Sequence, residues 1–253
     1  MKLYAFFAAI ALAQEDDVVA DDVCISGGEE VSCLTVRGRK DRNKNKEENR
    51  SSLSPEERRY ADLKAIAKKI WGNNGLKGKN KFDERKYWAY GCHCYLLGDR
   101  PLTEMGTGAP KDELDNKCKA YKDCQKCVRE KHGDTCIGEF TQYTWSYKSK
   151  NGIGFVSQNE EGSCEQELFQ CDLKFAQDTF AAMNIFNEDY HFFWGGFDNR
   201  DPDNCPSNGG IPVDHQCCGG YDRPYHWIGL NKNKCCPASD GNSGIVTPVE
   251  ENC

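Results

Sequence analysis

A mainly α, disulfide-stapled fold is what this sequence predicts, and three observations predict it. Sixteen of its 253 residues are cysteine, an even count at a density that secreted chains use as a covalent framework. Three stretches repeat apolar residues at the three- and four-residue steps of a helix face. One short stretch alternates with the two-residue period of a strand.

The chain opens Met1-Lys2, runs apolar from Leu3 to Leu12, and reaches Ala11-Leu12-Ala13 before Gln14. One positive charge, a short apolar core and a small-x-small ending predict a signal peptide over residues 1–13. The run falls short of the roughly 20 apolar residues that span a bilayer, and no second such run follows. Glu15-Asp16-Asp17 comes at once, which speaks against a buried N-terminal helix. The expected location is therefore secreted and extracellular, with no transmembrane segment.

Residues 14–52 form an acidic, then mixed-charge, segment and linker. Eight residues lie between Cys24 and Cys33 within it, near enough for a local bridge. Residues 37–52 are charged and poor in apolar side chains, a composition that cannot build a core. Asn49-Arg50-Ser51 is a glycosylation sequon on this exposed stretch. Arg39-Lys40 fits a processing site less well than a solvated charge run.

Ser54-Pro55-Glu56-Glu57 reads as a helix start: a capping Ser, Pro at the first helical position, acids in the first turn. Leu63, Ile66, Ala67 and Ile70 then share a face, and Gly72-Asn73-Asn74-Gly75 ends the helix. A second helix is predicted from Asp112 to about His132, with Leu114, Cys118, Tyr121 and Gln125 on one face and Gly133 as the stop. Residues 139–157 predict a small hairpin. Tyr143, Trp145 and Tyr147 alternate there, and Asn151-Gly152 is the turn signal. A third helix is predicted from Cys164 to Met183, with Leu168, Cys171, Phe175 and Ala182 on one face.

After Cys205 the composition turns to Gly, Asn, Asp and Pro, with Cys217-Cys218, Cys235-Cys236 and a final Cys253. Residues 206–253 read as a small cysteine-rich module, a size class that depends on disulfides worth about 2–4 kcal/mol each. Zinc is not expected, because Cys124-Gln125-Lys126-Cys127 is an isolated CxxC without a second knuckle. The net charge of −7 argues against a nucleic-acid partner and provides no pull toward anionic membrane.

One block of the chain carries a resemblance. Tyr90-Gly91-Cys92-His93-Cys94 is followed by a Gly-x-Gly-x-Pro-x-Asp-x-x-Asp run from Gly106 to Asp115, then by Cys118 and Cys124, and later by Cys171-Asp172. Over residues 53–205 this resembles secreted phospholipase A2. The resemblance implies two antiparallel helices joined by Cys124–Cys171, and bridges Cys94–Cys118, Cys136–Cys164 and Cys92–Cys205. Cys127 competes with Cys136 for Cys164. Cysteines of the family are absent here in matched pairs, at Lys117 with Asp178 and at Ser157 with Phe169. A Lys117–Asp178 ion pair is the expected substitute for the first. The tail resembles the di-cysteine modules of galaxin-type matrix proteins.

The resemblance also implies a catalytic His and a calcium-binding Asp, and this chain has Tyr121 and Lys122 in their places. A general base needs a pKa near the working pH, whereas only about one free phenol in a thousand is ionised at pH 7. Calcium takes hard oxygen ligands, and an ammonium offers none. The loop Tyr95 to Met105 is longer than the calcium-binding turn of the family, and Gln125 replaces a Tyr that would hold Asp172. The site residues Tyr121, Lys122 and Asp172 are therefore expected to be vestigial, with Tyr121 or Lys122 satisfying the acid. No catalytic residue, metal ligand or cofactor is expected, calcium entering only if the chain is an enzyme. His93, His132, His191, His215 and His226 show no acid at useful spacing and read as surface or packing residues.

Three functions follow from this reading. The first is a non-catalytic structural component of an extracellular matrix, otoconin-like in kind. The second is a divergent calcium-dependent phospholipase A2 that hydrolyses the sn-2 ester of phospholipids. The third is a lipid- or protein-binding module with Leu168, Phe175, Trp145 and Tyr147 lining a retained channel, residues whose spacing equally suits ordinary core. Matrix components or lipid are the implied partners.

Overall fold

A computed structural model describes residues 60–96, 106–148, 154–207 and 212–253, together with the backbone of 22–27 and 30–35. The signal peptide, Asn49, the helix start at Ser54, the Asn151-Gly152 turn and most of the Tyr95–Met105 loop lie outside the described residues.

Three helices carry the core. Helix α1, Ala61–Asn73, buries Leu63, Ile66, Ala67, Ile70 and Trp71. Helix α2 runs Glu113–His132. Its first turn is closed by Asp112, whose carboxylate accepts the Asp115 N–H at 2.8 Å, the bond that makes Asp a strong N-cap. Its last turn ends at Gly133, where φ is +96°, a conformation that costs glycine little. Helix α3 runs Cys164–Ala181, and the hydroxyl of Ser163 caps it. The face containing Leu168, Cys171 and Phe175 is buried.

Helices α2 and α3 are antiparallel, as three ties along their length require. Lys131, near the end of α2, pairs with Glu167, near the start of α3, at 2.6 Å. Cys124 is bridged to Cys171 at the middle. Lys117, at the start of α2, feels the charge of Asp178, at the end of α3. Helix α1 packs on α3 through Trp71, whose ring meets Phe180 edge-on at 5.0 Å. Each apolar side chain buried this way is worth about 1.5–3 kcal/mol.

Strands β1 (Asp22–Gly27), β2 (Glu30–Thr35), β3 (Trp145–Lys148) and β4 (Gly154–Ser157) form one antiparallel sheet in the order β2-β1-β3-β4. The strands β1 and β2 fall in the acidic segment around Cys24 and Cys33, for which the sequence predicts no strand. Their register sets Cys24 opposite Cys33 and places Cys24 beside Trp145. A four-residue helix, α4, Phe192–Gly195, lies beyond α3.

The tail forms two further hairpins. Strand β5 (His215–Gly220) pairs with β6 (Arg223–Gly229), and β7 (Asn233–Pro237) pairs with β8 (Gly244–Pro248). Bridges Cys218–Cys235 and Cys236–Cys253 tie these together. Cys127 is taken by Cys217, so the tail is fastened to α2, and Cys164 is bridged to Cys136. The remaining bridges among the described residues are Cys92–Cys205 and Cys94–Cys118. No cysteine among the described residues is free.

Candidate functional site

The frame of the site begins with a buried carboxylate that does structural work. Asp115 accepts backbone N–H bonds from Cys92, His93 and Lys111, each at 2.8 Å. These bonds seat the Tyr90–Cys94 turn on the first turn of α2. Burial pushes the Asp115 carboxyl above its ordinary range against the pull of those N–H groups. Gly91 must be glycine. Its φ is +57°, and a Cβ there would meet the Asp115 carboxyl carbon at 2.3 Å. Tyr90 donates its hydroxyl to Asp112. The motif that carries the family resemblance is thus a fold-setting clasp that places Cys94 and Cys118 for bridging.

Asp172, on the buried face of α3, is held by two phenols. Tyr121 donates to Oδ1 at 2.8 Å and Tyr143 donates to Oδ2 at 2.5 Å. Gln125, one turn along α2, donates its amide to the Tyr121 oxygen at 2.8 Å. The Tyr121 ring lies on Phe175 with centroids 4.4 Å apart and planes 17° from parallel. Burial first, and the Asp172 charge next, push the Tyr121 phenol well above its usual value, and the same causes act on Tyr143. Both therefore stay protonated as donors at any physiological pH. A phenol locked as a donor to a carboxylate cannot take a proton from water.

Tyr143 is a partner that sequence reading missed. Its only signal there was its place in the alternation before β3. Gln125 does not reach for Asp172. It serves Tyr121 instead, because the first carboxylate oxygen is already filled by the phenol.

Lys122 is 1% exposed, and its ammonium donates to the Tyr95 carbonyl at 3.4 Å, a long bond. The Tyr60 hydroxyl donates to the same carbonyl at 3.0 Å. A calcium ion in this place would need that carbonyl as a ligand and a carboxylate where Lys122 stands. The residues present do not fit the ion, since an ammonium already lies on the carbonyl and repels a second cation.

Two sequence expectations are corrected. Lys117 and Asp178 do not form the substitute ion pair: Lys117 binds Glu113 at 2.6 Å, and Lys174 takes Asp178. Both are i, i+4 partners on one helix, pre-aligned at little entropic cost. His132 does have an acid. Its Nε2 lies 2.7 Å from the Glu167 carboxylate, a group whose side chain is fully buried. Glu167 also accepts from Lys131, the Tyr221 N–H and the Tyr225 hydroxyl. No spacing rule would have paired His132 with Glu167, since they come from different helices.

The other histidines divide by burial. His93 and His191 are nearly inaccessible, and burial pulls both below the ordinary imidazole range. His215 stacks on Trp227 at 5.3 Å. Leu168 and Trp145 are fully enclosed in the core, whereas Phe175 and Tyr121 border a cavity.

No family model matches the chain. It is 32% identical over 116 residues to a phospholipase A2 of Calliactis polypus, covering 46% of this chain and 62% of that one. It is 31% identical over 118 residues to basic phospholipase A2 homolog 2 of Bothrops asper, covering 47% of this chain and 74% of the relative. Over 125 residues it is 29% identical to a membrane-associated phospholipase A2 of Cavia porcellus, covering 71% of that chain. The chain thus spans less than two thirds of the Calliactis relative and about three quarters of the Bothrops one. With the clasp at Asp115, the helix pair and the Asp172 pocket in place, this chain belongs to the phospholipase A2 family.

Proposed function

We propose that this chain is a secreted, non-catalytic member of the phospholipase A2 family that acts through its surface as a structural component of an extracellular matrix. The observation that carries the loss of catalysis is the pair of bonds at Tyr121 and Lys122. The phenol is spent on Asp172 and the ammonium lies on the Tyr95 carbonyl. The matrix role is supported by the acidic balance of the chain and by bridges that tie the helices and the tail into one covalent frame. Such a frame resists unfolding outside the cell without needing a large core. The expected location is extracellular. No helix among the described residues is long and apolar enough to cross a membrane.

Purified protein mixed with phospholipid vesicles and millimolar calcium tests the first half. Fatty-acid release equal to a heat-killed control is expected, and release above it overturns the reading. Retention on a basic matrix protein at low salt, lost at high salt, is expected for an acidic surface partner.

A second reading, lipid-surface binding, has one specific observation behind it. Phe192, Phe193 and Trp194 are 46%, 54% and 43% exposed on one short helix. Trp and Phe favour the water–lipid boundary, and vesicle sedimentation without hydrolysis would favour this reading over the matrix one.

A further inference from the structure

The seam between α2, α3 and β6 holds a cavity of about 150 Å³. Tyr121, Phe175 and the Cys124–Cys171 bridge line it from the helices, and Pro224, Tyr225 and His226 of β6 close its third side. Ala120 stands at its opening, and Lys117, Lys174 and Asp178 also border it. The space exists for two reasons visible in the chain. Lys117 and Asp178, where cysteines would bridge the helices, turn instead to Glu113 and Lys174 along their own helices. The tail then roofs the gap rather than filling it.

Size and chemistry select the occupant. A volume of about 150 Å³ is enough for one benzene ring, and the lining here is part apolar and part polar. Here the walls are three aromatic rings and a disulfide, surfaces that stack on or edge against a planar ring. The border carries two ammonium groups and one carboxylate. Each ammonium has three donors, and Lys117 and Lys174 each spend one on a helical neighbour, leaving others for an incoming anion. Burial, with the nearby Lys174 charge behind it, lowers the His226 pKa, so its ring is neutral at pH 7 and does not repel or attract strongly.

We propose that this seam is a binding site for a small aromatic carboxylate, its ring set against the edge of the Tyr121–Phe175 stack and against Tyr225, and its carboxylate at Lys117 and Lys174. The site lies on the phenyl side of Tyr121, against Phe175, and asks nothing of calcium or of the hydroxyl that holds Asp172. It is therefore independent of whether the chain hydrolyses lipid.

The test titrates 4-fluorobenzoate into the full chain, followed by fluorine NMR. Saturable binding is expected. 4-Fluorobenzylamine, with the same fluorinated ring and the opposite charge, should bind roughly tenfold more weakly, and the variant Ala120→Trp, which plugs the opening, should weaken 4-fluorobenzoate binding by a similar factor, a loss of about 1.4 kcal/mol. A second measurement uses the unaltered protein, in case the variant does not fold. Saturating 4-fluorobenzoate should slow acetylation of Lys117 and Lys174 but leave Lys68 and Lys81 unchanged. Absence of saturation, equal affinity for 4-fluorobenzylamine, or unprotected Lys117 and Lys174 would overturn the proposal.

Discussion

Tyr121 shows how a phenol keeps a buried acid satisfied. Asp172 is 7% exposed, and a buried carboxylate must be hydrogen-bonded. The phenol supplies the bond that an imidazole would have given, without its basicity. Tyr121→Phe leaves Tyr143 on Asp172 but removes one donor, and it strands the Gln125 amide as well. A loss of about 1–3 kcal/mol is expected, read as a lower denaturant midpoint with an unchanged slope. Restoring the lost pair with Tyr121→His and Lys122→Asp should not restore calcium-dependent hydrolysis, because the long Tyr95–Met105 loop remains. Fatty-acid release by that double variant is the measurement that would contradict this.

His191 makes a pH-dependent contribution at the same scale. Its Nε2 lies 2.9 Å from the Arg85 carbonyl, and its Nδ1 accepts the Phe193 N–H. The ring is thus neutral in the fold, protonated on Nε2 only, and burial lowers its pKa. As pH falls below about 6.5, the unfolded chain takes up a proton that the folded chain resists. Stability therefore falls with pH, by at most about 1.4 kcal/mol per unit for this group, until the folded value is passed. His93 is displaced in the same direction. Thermal midpoints between pH 7 and 5 should drop, and His191→Gln should flatten that dependence.

At the level of elements, the β5–β6 hairpin is held by one acid. Glu167 collects Lys131 and His132 from the end of α2 and Tyr221 and Tyr225 from the hairpin. Helix pair and tail therefore share a single buried carboxylate. Glu167→Gln removes the charge that Lys131 answers, but Lys131 is 44% exposed at its side chain and can return to water. The expected cost is about 1–3 kcal/mol, concentrated locally. Hydrogen exchange should speed up in β5 and β6 while the middle of α2 keeps its protection. Uniform loss of protection would assign the effect to the whole fold.

For the whole molecule, disulfides decide which parts move together. Cys127–Cys217 joins residues 90 apart in sequence, and closing so long a loop removes much freedom from the unfolded chain. Cys127→Ser with Cys217→Ser should cost about 2–4 kcal/mol. It should also expose the tail to limited proteolysis while leaving the 60–205 region intact. Simultaneous cleavage throughout would mean that the tail is required for the helix pair to stand.

The helices were legible because each obeys a local rule. Asp112 caps α2, Gly133 ends it with a positive φ, and Ser163 caps α3. The family frame was legible because Asp115, Gly91 and the cysteines act within short, fixed spacings. The strands β1 and β2 were not, although Val23 and Ile25, then Val31 and Cys33, alternate on either side of Gly27-Gly28 and pair with each other over six residues, because the surrounding acidic residues masked that short pattern. Tyr143 and Glu167 were missed for a different reason. A buried carboxylate takes whichever donors the packed elements deliver, and those come from 29 and 35 residues away. The sequence by itself determined that Tyr121 and Lys122, and not a His and an Asp, stand between Cys118 and Cys124, since that follows from residue identity in a spaced motif. Only the tertiary structure decided what Tyr121 and Lys122 do instead, and that an unbridged seam roofed by the tail is left open, because both depend on contacts between segments that no local spacing encodes.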